Sequence, residues 1–143
     1  MTRTIPLVLA SILLSVLSAT SQEKAMDVCA LLKSERKYDG KIVVVTGYVR
    51  ATQHLTAIRS EGCPRSVIIR YKSDAQPDEF VAGVEDTRLW LDPRPFRVTV
   101  EGRFQRRVRG PLGYFSRIEV TRALSWDFIG EKTTVNPPVQ KPQ

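Results

Sequence analysis

At 143 residues and a formal net charge of +7, the chain suits one domain of ordinary size with a modest core. Its 15 arginines against 7 lysines favour a planar anionic partner, carboxylate or phosphate, although a solvated surface rich in arginine has the same composition. Two well-separated cysteines and the single His54 match no structural zinc spacing, so neither a metal nor a cofactor is expected.

The first residues read as an export signal, Met1 to Ser21. Arg3 supplies the positive start, Leu7 to Leu17 is apolar apart from two serines and an alanine, and Ala19-Thr20-Ser21 offers small residues for cleavage. A retained membrane anchor is the competing reading, but the run reaches only about 16 Å as a helix, against about 30 Å of hydrocarbon. No cysteine follows the run and Thr2-Arg3-Thr4 is not a twin-arginine start, which argues against lipidation and that second export route. Cleavage near Gln22 removes one arginine and no acid, leaving +6 on the remaining 122 residues. The expected location is periplasmic or secreted. There Cys29 and Cys63 are expected to form a disulfide whose loop of about 34 residues contributes roughly 3 to 4 kcal/mol, with two buried thiols as the competing reading.

Met26 to Ser34 has Val28, Leu31 and Leu32 at helical spacing and stops before Tyr38-Asp39-Gly40, a turn signal. A helix there carries Cys29, so the disulfide staples it to a hairpin end at Cys63. Lys41 to Ala51 alternates as a first strand, His54 to Arg59 as a second, and Ser66 to Lys72 as a third after the break at Glu61-Gly62-Cys63-Pro64. After Pro77 the period changes: Phe80, Val84, Thr87 or Arg88, and Leu91 share a helical face, while Asp78, Glu79, Glu85 and Asp86 form a solvated one. Asp92-Pro93-Arg94-Pro95 ends this helix. Phe96 to Arg107 is a fourth strand, Arg109 to Gly113 a loop, and Tyr114 to Leu124 a fifth strand with Ile118 and Val120 inward. The tail, residues 131–143, has almost nothing to bury and is expected to be disordered. A single domain over residues 22–130 results.

Two strands echo each other. Val43, Val45, Gly47 and Val49 repeat in type as Val98, Val100, Gly102 and Phe104. Five strands with a helix between the third and fourth is the order of an OB-fold, a small Greek-key barrel whose closure bends individual strands sharply. A mid-strand glycine removes the side chain that would crowd such a corner, so Gly47 and Gly102 are read as corner residues. The competing reading is an ordinary sheet with two incidental bulges.

The stretch from Val28 to Cys63 contains Cys29, Leu31-Leu32, Tyr38-Asp39-Gly40-Lys41, Val-x-Val-x-Gly-x-Val and Cys63-Pro64. It resembles a group of small exported bacterial proteins of unassigned activity with an OB-like barrel. The resemblance covers about the first third of the chain after the signal and implies fold and export; it implies no functional residues.

No nucleophile elbow, no phosphate-cradling glycine-rich loop with lysine and no histidine pair is present. The first two strands carry no Asp or Glu, which disfavours a calcium-dependent nuclease of staphylococcal-nuclease type and leaves a weak hydrolase as the least favoured reading. Binding is favoured. Small barrels of this kind use the face of strands two and three, framed by two loops. That region offers Tyr48, Arg50, His54, Arg59, Arg70, Tyr71, Arg106, Arg107, Arg109 and Tyr114. Such a surface suits an acidic protein, an anionic polysaccharide or another anionic envelope component; single-stranded nucleic acid or an oligosaccharide is the alternative. Tyrosines with wet hydroxyls and arginines paired to helix acids are the competing explanation.

Overall fold

A computed structural model describes residues 24–89 and 95–130. The expected signal (1–21) and tail (131–143) lie outside the described residues, as do Leu91 and Asp92 to Arg94. The first helix starts later than its apolar spacing suggests. Asp27 accepts a hydrogen bond from the Ala30 N–H at 2.8 Å, so the Asp27 side chain is the N-cap and α1 runs Val28–Lys33. Met26–Asp27 instead forms a two-residue strand, β1, parallel to the next strand with Met26 opposite Val45. A short α2, Glu35–Tyr38, follows, and Gly40 turns the chain at φ 77°.

The remaining strands are β2 Ile42–Ala51, β3 Thr56–Arg59, β4 Val67–Arg70, β5 Phe96–Gly110 and β6 Gly113–Phe128, with α3, Asp78–Leu89, between β4 and β5. All five expected strands and the inserted helix are present. The last two are longer than expected: ladder pairing continues through Arg109 opposite Tyr114 to Gly110 opposite Gly113, so the expected loop shrinks to Pro111-Leu112. Along that extension neither face is fully buried, which erases the alternation that marks a strand in sequence.

The sheet order is β1-β2-β3-β4-β6-β5, and β5 returns to pair with β2. The result is a closed, five-stranded mixed barrel with β1 as an addition on β2. A ring of five strands cannot alternate direction all the way round, so at least one neighbouring pair must be parallel. That pair is β4 with β6, Ile69 opposite Ile118.

The two echoing strands are direct partners. In β2–β5, Val43 faces Gly102, Val45 faces Val100 and Gly47 faces Val98. Each glycine marks the place where its strand approaches its other neighbour. A β-carbon on Gly47 would lie 2.7 Å from the Arg59 carbonyl oxygen on β3, and one on Gly102 would overlap the Glu119 carbonyl on β6. Both positions are buried and face inward. The repeat is therefore two corners of one barrel, each glycine sitting where the chains cross too closely for a side chain.

Val43, Val45 and Val49 of β2, Ile58, Val67 and Ile69, and Val98, Val100, Phe104, Ile118 and Val120 fill the interior. Val28, Leu31 and Leu32 of α1 and Phe80 and Val84 of α3 join the same cluster. Phe80 packs edge-on against Tyr71 (5.4 Å between centroids) and Trp126 (6.1 Å), which seats α3 on the barrel. Cys29 on α1 is bonded to Cys63 in the β3–β4 connection across a Cα–Cα distance of 5.7 Å. The Val28 N–H donates to Ser60 Oγ at 2.8 Å beside it, so helix and connection are tied twice.

Candidate functional site

A cleft of about 820 Å³ opens on the outer face of β3, β4 and β6, between the β2–β3 loop and the β5–β6 turn. Each wall is held by a separate local device. In the loop, the Thr52 N–H donates to the Leu55 carbonyl at 2.8 Å while Thr52 Oγ1 accepts from the N–H groups of His54 (3.3 Å) and Leu55 (3.2 Å). This closed turn fixes where His54 and Leu55 project. From α3, the Thr87 hydroxyl accepts from the Ala51 N–H at 3.0 Å, and the Arg88 guanidinium donates to the Thr52 carbonyl. The helix therefore anchors the base of the loop.

On the opposite wall a β-bulge interrupts the β5–β6 ladder between Gln105 and Val108. Arg107 lies in it at φ 53°, the one non-glycine residue with positive φ among the described residues. A left-handed backbone is uncommon for arginine and re-aims the side chain. Its guanidinium lies over the Tyr114 ring, 5.0 Å from the centroid.

Between these walls stand Ile68, Arg70, Tyr71, Phe115 and Arg117. Arg88 is held by Glu85, Nε to Oε2 at 2.9 Å. Arg117 Nε lies 2.9 Å from Glu119 Oε1 but off the N–H axis, so this contact is an ion pair without a hydrogen bond; its Nη2 donates to Gln105 Oε1 at 2.8 Å. Arg70 makes no ion pair among the described residues and is exposed. Burial raises the Tyr71 phenol above its ordinary pKa; the Glu85 carboxylate adds to this and Arg88 opposes it.

The ten residues singled out in the sequence fall into three groups. His54, Arg70, Tyr71 and Tyr114 line the cleft. Tyr48, Arg50 and Arg59 line a second hollow of about 800 Å³ beside Cys63 and Pro95, because the β2–β3 register sets Tyr48 opposite Arg59. Arg106, Arg107 and Arg109 lie on the β5–β6 extension, where Arg106 Nε is 3.9 Å from Asp39 Oδ2 and Arg109 is paired across the ladder with Tyr114. Sequence reasoning missed Leu55, Arg88, Leu112 and Arg117 as lining residues. The apolar residues in otherwise polar loops, Leu55 and Leu112, are the signal that would have found two of them.

A scan against protein-family models finds no match to the chain, and a search of curated proteins finds none either.

Proposed function

We propose that the protein is an exported, non-enzymatic binding module on an OB-type barrel, and that the cleft between the β2–β3 loop and the β5–β6 turn receives an acidic component of the cell envelope. The observation that carries this reading is the cleft itself. It lies over the second and third strands of a five-stranded barrel, framed by the connections between strands one and two and between four and five, where OB-folds bind extended ligands. A helix between the third and fourth barrel strands supports the same fold. Export is supported by the Cys29–Cys63 disulfide, which persists in oxidising compartments, together with the sequence of Met1 to Ser21.

Binding is preferred to hydrolysis because of how the cleft's titratable groups are committed. Its lining carries one carboxylate, Glu85, and Arg88 already holds it; its one imidazole, His54, sits on an exposed loop. A general acid–base pair needs a free partner for the histidine within hydrogen-bond reach. An anionic ligand, by contrast, finds Arg70, which makes no ion pair among the described residues, and His54 lining the same cleft.

The test is retention of the chain from Gln22 onward on immobilised heparin, single-stranded DNA and a neutral glycan, across a salt series. The expected order is heparin and DNA above glycan, with retention falling as ionic strength rises. His54→Ala with Arg70→Ala weakens retention about five- to thirtyfold, at roughly 0.5 to 1 kcal/mol for each exposed contact. Unchanged retention in that double variant would remove the cleft as the binding site, and preferential, salt-steep retention on DNA would favour the nucleic-acid alternative.

A further inference from the structure

Within the barrel, two long stretches contain no acid: Lys41 to Ser60, which includes the β2–β3 loop, and Gly102 to Ile118, which includes the whole β5–β6 turn. The second carries five arginines. Three are already engaged: Arg103 donates to the Gly40 carbonyl at 2.6 Å, Arg106 pairs with Asp39, and Arg117 with Glu119. Arg107 and Arg109, the two nearest the turn, meet no carboxylate among the described residues. At the apex Leu112 is 104% exposed, Tyr114 beside it is 64% exposed, and Leu55 across the cleft is 44% exposed.

Single exposed leucines are ordinary on a protein surface. Here, however, half of the six exposed large hydrophobic side chains among the described residues sit on the two lips of one cleft, and Arg107 and Arg109 behind them meet no carboxylate among those residues. The bulge strengthens the pattern. It holds Arg107 in a left-handed conformation that few non-glycine residues adopt, with its guanidinium over the Tyr114 ring. Apolar tips ahead of a cationic collar, with an amphipathic tyrosine at the boundary, match the layering of an anionic bilayer surface: hydrocarbon, then phosphate.

We propose that this end of the barrel docks on an anionic phospholipid surface, with Leu112 entering the acyl boundary, Leu55 following it, and Arg107 and Arg109 contacting lipid phosphates. The inference rests on the reading of this end as the surface for an acidic partner, and it names that partner's chemistry. Lipid is favoured over single-stranded nucleic acid because the tips are aliphatic, and the exposed ring at the apex already has a guanidinium over one face; base stacking needs open aromatic faces. Two leucines and two arginines give weak, reversible attachment, which suits a module that samples a membrane from outside it.

The experiment is co-sedimentation of the chain from Gln22 onward with vesicles of phosphatidylcholine alone and of phosphatidylcholine with phosphatidylglycerol. Binding is expected only with phosphatidylglycerol present, and to weaken with salt. Leu112→Ser reduces vesicle binding about tenfold or more. Arg107→Ser with Arg109→Ser reduces it about fivefold for each charge removed. Leu124→Ser, an exposed leucine on β6 outside the cleft lining, changes nothing and reports on general hydrophobic stickiness. Heparin retention without vesicle binding would overturn the lipid proposal and leave the acidic-partner reading standing, and so would vesicle binding indifferent to Leu112→Ser. Retention on neither heparin nor vesicles would overturn both.

Discussion

Gly47→Ala sets two effects of opposite sign against each other, and the geometry decides between them. Replacing glycine with alanine removes backbone freedom from the unfolded chain, which by itself stabilises by about 0.4 to 1 kcal/mol. In the barrel, however, the new methyl carbon would stand 2.7 Å from the Arg59 carbonyl oxygen and 2.9 Å from Ile58 Cγ1. Neither neighbour can yield cheaply. The carbonyl belongs to the β2–β3 pair that starts at Tyr48 opposite Arg59, and Ile58 is fully buried. Overpacking a close-packed interior by one methyl costs about 1 to 3 kcal/mol, and with a ladder carbonyl as the obstacle the cost lies in the upper half of that range, so the net effect is a loss of about 1 to 2.5 kcal/mol. For a domain of this size that lowers Tm by about 5 to 15 °C. Gly102→Ala is expected to cost more, because its β-carbon would overlap the Glu119 carbonyl oxygen more deeply than that of Gly47 meets the Arg59 carbonyl. Thermal melts followed by far-ultraviolet circular dichroism measure both. A Tm unchanged or raised by Gly47→Ala would show that β3 retreats freely, and the corner reading of the repeated glycine would be wrong.

Cys29→Ser with Cys63→Ser opens a loop with a sequence separation of 34, which removes roughly 3 to 4 kcal/mol and about 15 to 25 °C of Tm; reductant should do the same to the unaltered chain, and equal melting with and without it would refute the staple. Gln76 is buried, donates to the Thr121 carbonyl at 3.2 Å and accepts from the Ala123 N–H at 2.9 Å, so Gln76→Leu strands two backbone groups of β6 and should cost about 2 to 4 kcal/mol in chemical denaturation. Tyr71 should ionise above the ordinary tyrosine value of about 10 in a phenolate absorbance titration, and Glu85→Gln should bring it down. Because its folded pKa is raised, its stabilising contribution is complete below the unfolded value of about 10 and is lost as pH rises through the folded value; Tyr71→Phe should flatten the loss of stability above pH 10.

The barrel was legible in the sequence because its strands carry their own evidence. In β2 the odd positions from Val43 to Ala51 point inward and are buried, and a period of two is visible without knowing what lies opposite. Where that contrast fades, legibility fades with it. Met26–Asp27 is too short to show any period, and its strand exists only because β2 offers an edge beside Val45. Residues beyond Gln105 on β5 alternate poorly because both faces of the extension meet water, so its length is set by pairing with β6 rather than by burial.

The cleft was legible in chemistry and illegible in adjacency. Alternation says that Tyr48, Arg59 and Arg70 face outward, but outward is the whole circumference of a barrel. Register assigns the sector: Tyr48 lies opposite Arg59 on the β2–β3 side, while parallel pairing of β4 with β6 brings Arg70 beside Glu119 and Ile68 beside Arg117. That parallel pair joins strands more than forty residues apart in sequence, and no local pattern encodes it. The same pairing puts the acid-free hairpin across from the acid-free loop, so two lips that are remote in sequence share one cleft. Charge excess in each stretch was visible alone, but its significance comes from closure: only in the ring do the two stretches reinforce one another at a single end of the molecule.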